Sequence, residues 1–212
     1  MYQKRETCQN TIRRYITGDI WNGWRCMKRK TAKEILAESF RELAGVKNID
    51  KITVKDITDN CGYSPATFYR QFRDKYDLIA WVYTWGVSSI MDRIGQDRYE
   101  WKQTLLDGAI QFQKEKEVLT NLLLHTSGHE SFVQYMTDIN SSELTRYIKR
   151  VSGKEILDQT TEMYIRLYCM GTVCFTCEWI LGNINADSRM LAASMAASLP
   201  VPLQKYLLKP GS

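Results

Sequence analysis

The chain has 212 residues, of which 44% are hydrophobic and 25% charged, and its formal net charge is +5. This composition supports a packed core and excludes a disordered chain, and the length suits one small and one medium domain. The charge is uneven, because residues 1–76 hold 16 Lys and Arg against 9 Asp and Glu, whereas residues 77–212 hold 13 against 15. The N-terminal part is therefore the one suited to a polyanionic partner.

Residues 1–26 have no clear apolar period and no continuous apolar run. They lack the pattern of a secretory signal peptide, and no stretch of the chain reaches the length of a membrane span, so a cytoplasmic protein without a membrane partner is expected. The segment is interpreted either as a basic arm of the following domain or as residues upstream of a true start at Met27. The second interpretation is favoured.

A first helix is predicted over Thr31 to Leu43. Thr31 and Glu34 have the T-x-x-E spacing of a capping box, and Lys28 to Lys30 precede it directly. Its apolar residues form one stripe at helical spacing: Ile35, Leu36, Phe40 and Leu43.

A short second helix is predicted to begin after Thr53, which can cap it. Val54, Ile57 and Cys61 recur on one face of this helix. Gly62 supplies the permissive backbone at which the helix ends.

A third helix is predicted from Ser64 to Phe72. Ser64 is a strong N-cap residue, and Pro65 is tolerated at the first helical position because its missing N–H would be unpaired there. Phe68 and Phe72 then face inward at i and i+4. Two short helices across a glycine turn match a helix-turn-helix.

The outward face of the third helix is suited to a DNA major groove. Small residues let the helix end approach base edges, hydroxyls can bond to phosphates or bases, and an arginine fork can pair with guanine. An ordinary solvated helix is the alternative. The residues left exposed near its N-terminus are Ser64, Pro65, Ala66, Thr67, Tyr69 and Arg70.

This segment resembles the TetR/AcrR family of bacterial transcriptional regulators. The family pattern T-x-x-x-I-x-x-x-x-G-x-S-x-x-T-x-Y-x-x-F-x-x-K-x-x-L is matched here by Thr53, Ile57, Gly62, Ser64, Thr67, Tyr69, Phe72, Lys75 and Leu78. The resemblance covers about fifty residues and implies DNA contacts by Thr53, Ser64, Thr67, Tyr69 and Lys75. Family members often have His or Tyr where Gln71 stands. The full predicted DNA-binding set adds Lys28, Pro65, Ala66, Arg70 and Gln71.

The rest of the chain is predicted to be helical. Asp74 can cap a connecting helix from Lys75 to about Ile94, and further helices are predicted at about 101–116, 118–126, 129–150, 156–182 and 188–199. The predicted breaks are Gly95, Gly128, Gly153 and Gly182, with Pro200 and Pro202 ending the last helix. The fold class is therefore all-α: an extension over 1–26, a three-helix DNA-binding domain over 27–76, and a helical effector-binding and dimerisation domain over 77–212.

A ligand pocket in the C-terminal domain is predicted from composition alone. Packed core is the ordinary explanation for such an aromatic stripe. The candidate lining residues are Trp101, Phe112, His125, Phe132, Tyr135, Tyr164, Tyr168 and Phe175, with Met136, Met170 and Trp179 as further candidates. His125 and His129 have i, i+4 spacing, but Gly128 between them argues against a metal site.

The family resemblance also implies a homodimer, with long C-terminal helices packed against their symmetry mates in a four-helix bundle. The predicted 156–182 helix is apolar or small nearly all round, which favours burial on two sides. The predicted interface residues are Gly171, Val173, Thr176, Ile180 and Met195. The C-terminal ending, with its Trp-Ile-Leu-Gly run and Leu-Pro-x-Pro-Leu motif, resembles the dihydroxyacetone-kinase activator type of TetR-like protein.

No catalytic or cofactor motif is found. The chain has no G-x-S-x-G elbow, no phosphate-binding glycine loop and no H-E-x-x-H motif, so it is not expected to be an enzyme. The six cysteines are expected to be reduced, and the C-x-x-C of Cys174 and Cys177 is interpreted as core rather than as a metal or redox site. No metal or cofactor is expected.

The sequence therefore predicts a homodimeric regulator, a repressor by default, that binds a near-palindromic double-stranded operator. A small-molecule effector or a protein co-regulator would control it through the C-terminal domain. Two alternatives stay open: an activator of the same family that works with a protein co-activator, and a helix-turn-helix interaction module without DNA binding.

Overall fold

Helices make up all the regular structure in residues 30–97, 99–125 and 129–208, the part of the chain that the computed structural model describes. The all-α prediction is confirmed there. The α-helices are α1 Ala32–Ala44, α2 Val54–Cys61, α3 Pro65–Tyr69, α4 Lys75–Met91, α5 Trp101–Lys114, α6 Lys116–His125, α7 His129–Ser152, α8 Gln159–Ile180, α9 Ser188–Ala197 and α10 Val201–Leu207. The predicted 1–26 segment, Lys28 and Gly128 lie outside the described residues.

Two features of the helix order were not predicted. A 3₁₀ helix, Ile49–Lys51, lies between α1 and α2. Pro200 and Pro202 were predicted only to end a helix, but they also begin α10, in which Pro202 occupies the first turn. Proline is accepted at that position because the first N–H groups of a helix have no intrahelical partner.

Asp and Thr side chains cap four of the helices, which explains where those helices begin. Thr53 accepts a hydrogen bond from a backbone N–H at the start of α2, and Asp74, Asp158 and Asp187 do the same for α4, α8 and α9. Each cap satisfies donors that would otherwise be unpaired. The caps of α2 and α4 were predicted from the sequence.

A continuous apolar core joins the helix-turn-helix to the C-terminal helices. Leu36 of α1, Phe68 of α3 and Leu78 of α4 are fully buried in the same cluster as Leu122 of α6 and Met136 of α7. A second cluster, which includes Trp101, Ile148 and Ile165, lies among α4, α5, α7, α8 and α10. The first cluster therefore fixes α1–α4 against the helices that follow.

Polar contacts join α4 to α7 inside this arrangement. The Asn140 amide of α7 donates to the Tyr83 hydroxyl of α4 at 2.6 Å, and the Tyr135 hydroxyl donates to the Ala80 carbonyl at 2.9 Å. Burial raises the pKa of the Tyr83 hydroxyl.

Within the described residues, none of the helices is long and apolar enough to cross a membrane.

Gly62 ends α2 with a left-handed backbone (φ 76°), and a Cβ added there would meet no atom within 4 Å. We therefore expect Gly62→Ala to destabilise the fold by about 1 kcal/mol through backbone strain alone. The matched control is Gly108→Ala inside α5, where a Cβ also has open space. Because Ala is the better helix former, that change should stabilise by about 0.5–1 kcal/mol. Urea unfolding measures both, and equal effects would contradict the strain argument.

Candidate DNA-binding interface

The first helix of the helix-turn-helix is fixed by a reciprocal cap. The Thr53 hydroxyl accepts from the Asp56 backbone N–H at 3.1 Å, and the Asp56 carboxylate accepts from the Thr53 backbone N–H at 2.8 Å. The Lys47 ammonium donates to the same carboxylate at 2.8 Å. These hydrogen bonds hold the pKa of Asp56 well below its usual range.

Lys47 was not singled out from the sequence. It lies nine residues before Asp56, a separation that belongs to no helical or capping pattern. Only the folded loop brings the two side chains together, so no local motif could have identified it.

Helix α2 is also tied to α1 by side-chain hydrogen bonds. The buried Ser39 hydroxyl donates to the Ile57 carbonyl at 2.6 Å, and the Asn60 amide donates to Ser39 Oγ at 3.1 Å and to Glu42 at 2.9 Å. These contacts make α1 and α2 a rigid support for the helix that follows.

Helix α3 is shorter than predicted, because it runs only from Pro65 to Tyr69, with Arg70 as its C-cap. The expected span from Ser64 to Phe72 is wrong at its C-terminal end. Ser64 caps the helix as predicted, since its hydroxyl accepts from the Thr67 backbone N–H at 3.3 Å. Phe68 and Phe72 are buried as predicted, with their rings 5.7 Å apart.

The outer surface of α3 is polar and partly pre-organised. Ser64 Oγ and Thr67 Oγ1 lie 3.2 Å apart, and the Arg70 guanidinium donates to Thr67 Oγ1 at 3.1 Å. The Tyr69 side chain is 60% exposed, and its ring packs edge-on against Phe68. Pro65 and Ala66 are also exposed, whereas Gln71 is half-buried. Ser64, Pro65, Ala66, Tyr69 and Arg70 are thus exposed as predicted, whereas Thr67 is half-buried.

Lys75 has a different environment from the one predicted. Its ammonium donates to the backbone carbonyls of Ile49, Asp50 and Ile52 at 2.8, 3.2 and 3.1 Å. An ammonium has three N–H donors, so these bonds engage all of them. In this conformation Lys75 ties the start of α4 to the 3₁₀ helix and presents no free donor to a phosphate.

Most of the predicted effector-pocket residues are divided between the two core clusters. Phe112, Phe132 and Tyr135 pack around Tyr83 in the first core cluster, whereas Trp101, Tyr164 and Tyr168 belong to the second. Phe175 is exposed and His125 is half-buried. The effector pocket therefore stays a prediction, because aromatic composition does not specify which core a residue joins.

A groove of about 230 Å³ lies between α7 and α8, on the surface of the C-terminal domain. Of the predicted pocket residues, only Met170 lines it. Its lining residues are Val133, Gln134, Thr137, Met170, Cys174, Cys177 and Glu178. Burial raises the pKa of the Cys177 thiol to about 12, so this thiol stays protonated, while Cys174 is exposed.

Four of the five predicted dimer-interface residues are core residues of a single chain. Val173, Thr176, Ile180 and Met195 are all buried in the described structure, so they are not available as a surface. Gly171 is exposed. Because α8 is apolar or small nearly all round, its sequence does not indicate which side packs against the protein's own helices.

A capped helix-turn-helix, a basic N-terminal region and a helical C-terminal domain define a DNA-binding regulator. Comparison with known proteins agrees. Residues 36–82 match the family model described as bacterial regulatory proteins, tetR family. This part of the chain therefore matches the DNA-binding domain of the TetR family.

Solved structures extend this likeness to the C-terminal helices. The dihydroxyacetone kinase operon activator DhaS is 16% identical, with 83% of this chain and 98% of that chain covered and a TM-score of 0.62. The TetR family repressor AlkX from Dietzia sp. strain DQ12-45-1b is 15% identical, with 85% and 99% covered and a TM-score of 0.53. These likenesses show the fold. No curated protein matched the chain.

We expect simultaneous Thr67→Ala and Tyr69→Ala changes to weaken operator binding at least tenfold, equivalent to about 1.4 kcal/mol. Neither side chain is among the buried core residues, although the Tyr69 ring packs edge-on against Phe68, so helical content and dimerisation should not change. A gel-shift titration measures the affinity, and circular dichroism and sedimentation check the fold. Unchanged affinity would remove α3 from the DNA interface.

Lys75→Met should lower the free energy of unfolding by about 1–3 kcal/mol, because three carbonyls, two of them partly buried, lose a charged donor. Lys51→Met is the matched control, since Lys51 is an exposed lysine on the 3₁₀ helix that Lys75 contacts. Urea unfolding compares the two variants. If Lys75→Met left stability unchanged and instead reduced the salt slope of DNA binding by about one, a phosphate contact would be the correct assignment.

Proposed function

We propose that the protein is a homodimeric transcriptional regulator that places α3 in the major groove of a near-palindromic operator and represses by default. The observation that carries this proposal is the exposed edge of α3, whose hydroxyls and guanidinium stand on a helix anchored from behind by Phe68. Within the family match, this is the surface with the chemistry to contact bases.

The roles of the residues on that edge follow from their chemistry. Arg70 has the fork geometry that pairs bidentately with guanine O6 and N7. Pro65 and Ala66 are small enough to let the helix N-terminus approach the bases. Ser64, Thr67, Tyr69 and Thr53 supply hydroxyls to phosphates or bases, and Gln71 lies at the edge of this surface.

Dimerisation is proposed to use the outer face of α8 rather than the residues first predicted. Met163, Leu167 and Met170 are exposed at i, i+4 and i+7, and Cys174 continues the stripe at i+11. Leu167 is 62% exposed. The stripe borders the groove between α7 and α8, two long packed helices that a symmetry mate would complete as a four-helix bundle.

In a dimer, the C-terminal domain can control DNA binding, because it sets the distance between the two copies of α3. Two copies of α3 must lie roughly 34–36 Å apart to enter successive major grooves. A small-molecule effector or protein partner that favours another spacing lowers the population able to bind. An activator that works with a protein co-activator would use the same α3 surface, so the sign of regulation is a separate question.

The direct test is a footprint of the purified chain on the promoter of its own gene, followed by a salt titration of the protected fragment. We expect protection of two half-sites and an affinity that falls linearly on a log-log plot against salt. A promoter fusion with and without the protein gives the sign of regulation. Absence of any salt-dependent shift of duplex DNA would favour the interaction module instead.

Leu167→Glu should split the dimer and weaken operator binding while each chain remains folded. Position 167 is exposed within one chain, whereas a Glu carboxylate there would be buried in the dimer interface without a charged partner. Met190→Glu is the matched control, since Met190 is 58% exposed on α9, outside the α8 stripe. Sedimentation should show a monomer only for Leu167→Glu. A dimeric Leu167→Glu protein would place the interface elsewhere.

A further inference from the structure

The loop between α1 and α2 is held by one side chain from the C-terminal helices. Asn121, on α6, donates its amide hydrogens to the carbonyls of Ala44 and Lys47, at 2.8 Å each. Its amide oxygen accepts from the Ile49 backbone N–H at 3.2 Å. One asparagine therefore closes the end of α1 and fixes the start of the 3₁₀ helix.

The backbone groups that Asn121 contacts have few alternative hydrogen-bond partners. Ala44 and Ile49 are buried, and a buried backbone group without a partner is costly. The neighbouring amides of Gly45, Val46 and Lys47 bond back to α1, whereas the Ile49 amide donates to Asn121. The Ile49 N–H is thus a direct reporter of this contact.

The same loop supports the N-terminus of α2. Asn121 fixes the Lys47 backbone, and the Lys47 side chain bonds to Asp56, which in turn completes the Thr53 cap. Lys75 holds the other end of the loop through the carbonyls of Ile49, Asp50 and Ile52. A short path of hydrogen bonds thereby connects α6 to the helix that precedes α3.

We propose that Asn121 is a positioning residue for DNA binding: it holds the α1–α2 loop against α6 and so sets the placement of α2 and α3. It touches no DNA in this assignment. The consequence for operator binding rests on the function proposed above, whereas the consequence for the loop does not.

The experiment compares Asn121→Ala and Asn121→Asp with Thr120→Val in the full chain. Thr120 is the adjacent α6 residue, and its hydroxyl contacts the Ile180 carbonyl of α8 rather than the loop. Hydrogen exchange at the Ile49 amide, measured without DNA, reports the loop. Affinity for a duplex selected by the wild-type chain from a random-sequence pool reports DNA binding.

In Asn121→Ala we expect Ile49 exchange to rise about tenfold or more and the affinity to fall about tenfold, which corresponds to about 1.4 kcal/mol in each case. Asn121→Asp keeps the acceptor but turns a carboxylate toward two carbonyls. It should therefore protect Ile49 better than Asn121→Ala does and still weaken DNA binding. Thr120→Val should match the wild type in both measurements.

Two results would overturn the proposal. One is Ile49 exchange that is unchanged in Asn121→Ala, or equal in the Ala and Asp variants, because the amide contact would then not hold the loop. The other is faster exchange with wild-type affinity for DNA, because the loop would then not position α3. A wild-type chain that selects no duplex defeats the proposed function instead, while the exchange data still decide the loop contact.

Discussion

The candidate DNA-binding surface depends on the burial of Phe68. Helix α3 has five residues, far fewer than an isolated helix needs to be stable in water. Its caps at Ser64 and Arg70 satisfy its ends, but the packing of Phe68 and Phe72 against α1, α2 and α4 is what holds it in place. Ser64, Pro65, Ala66 and Arg70 are exposed, so the packing of Phe68 and Phe72 does not dictate their side chains.

The loop before α2 shows how a polar network complements this core. Its carbonyls and amides are satisfied by Lys75 from one side and Asn121 from the other, and Lys47 links it to the Asp56 cap. An irregular segment next to a core needs such partners, since its backbone groups have no helix to satisfy them. The result is a helix-turn-helix whose support is drawn from helices on both sides of the predicted domain boundary.

One side of α8 belongs to the core of the chain, and the opposite side is the candidate dimer interface. Ile165, Val173 and Ile180 face the protein's own helices, while Met163, Leu167 and Met170 face outward. Exposed apolar residues arranged as a stripe are a common mark of a protein contact. The proposed interface therefore follows from the burial pattern, in which Val173 and Ile180 are covered within one chain.

The sequence by itself determined the local features of this protein. The Thr53 and Ser64 caps, the end of α2 at Gly62 and the inward Phe68 depend on residues within a few positions of one another, and all four were predicted. Only the tertiary structure decided the side of α8 that is buried, the partners of Lys75 and the role of Asn121. These depend on contacts between distant residues, up to 77 positions apart for Asn121 and Ala44, which no local spacing encodes. The aromatic pocket stays a prediction for the same reason, because membership of one core or another is set by how the helices pack.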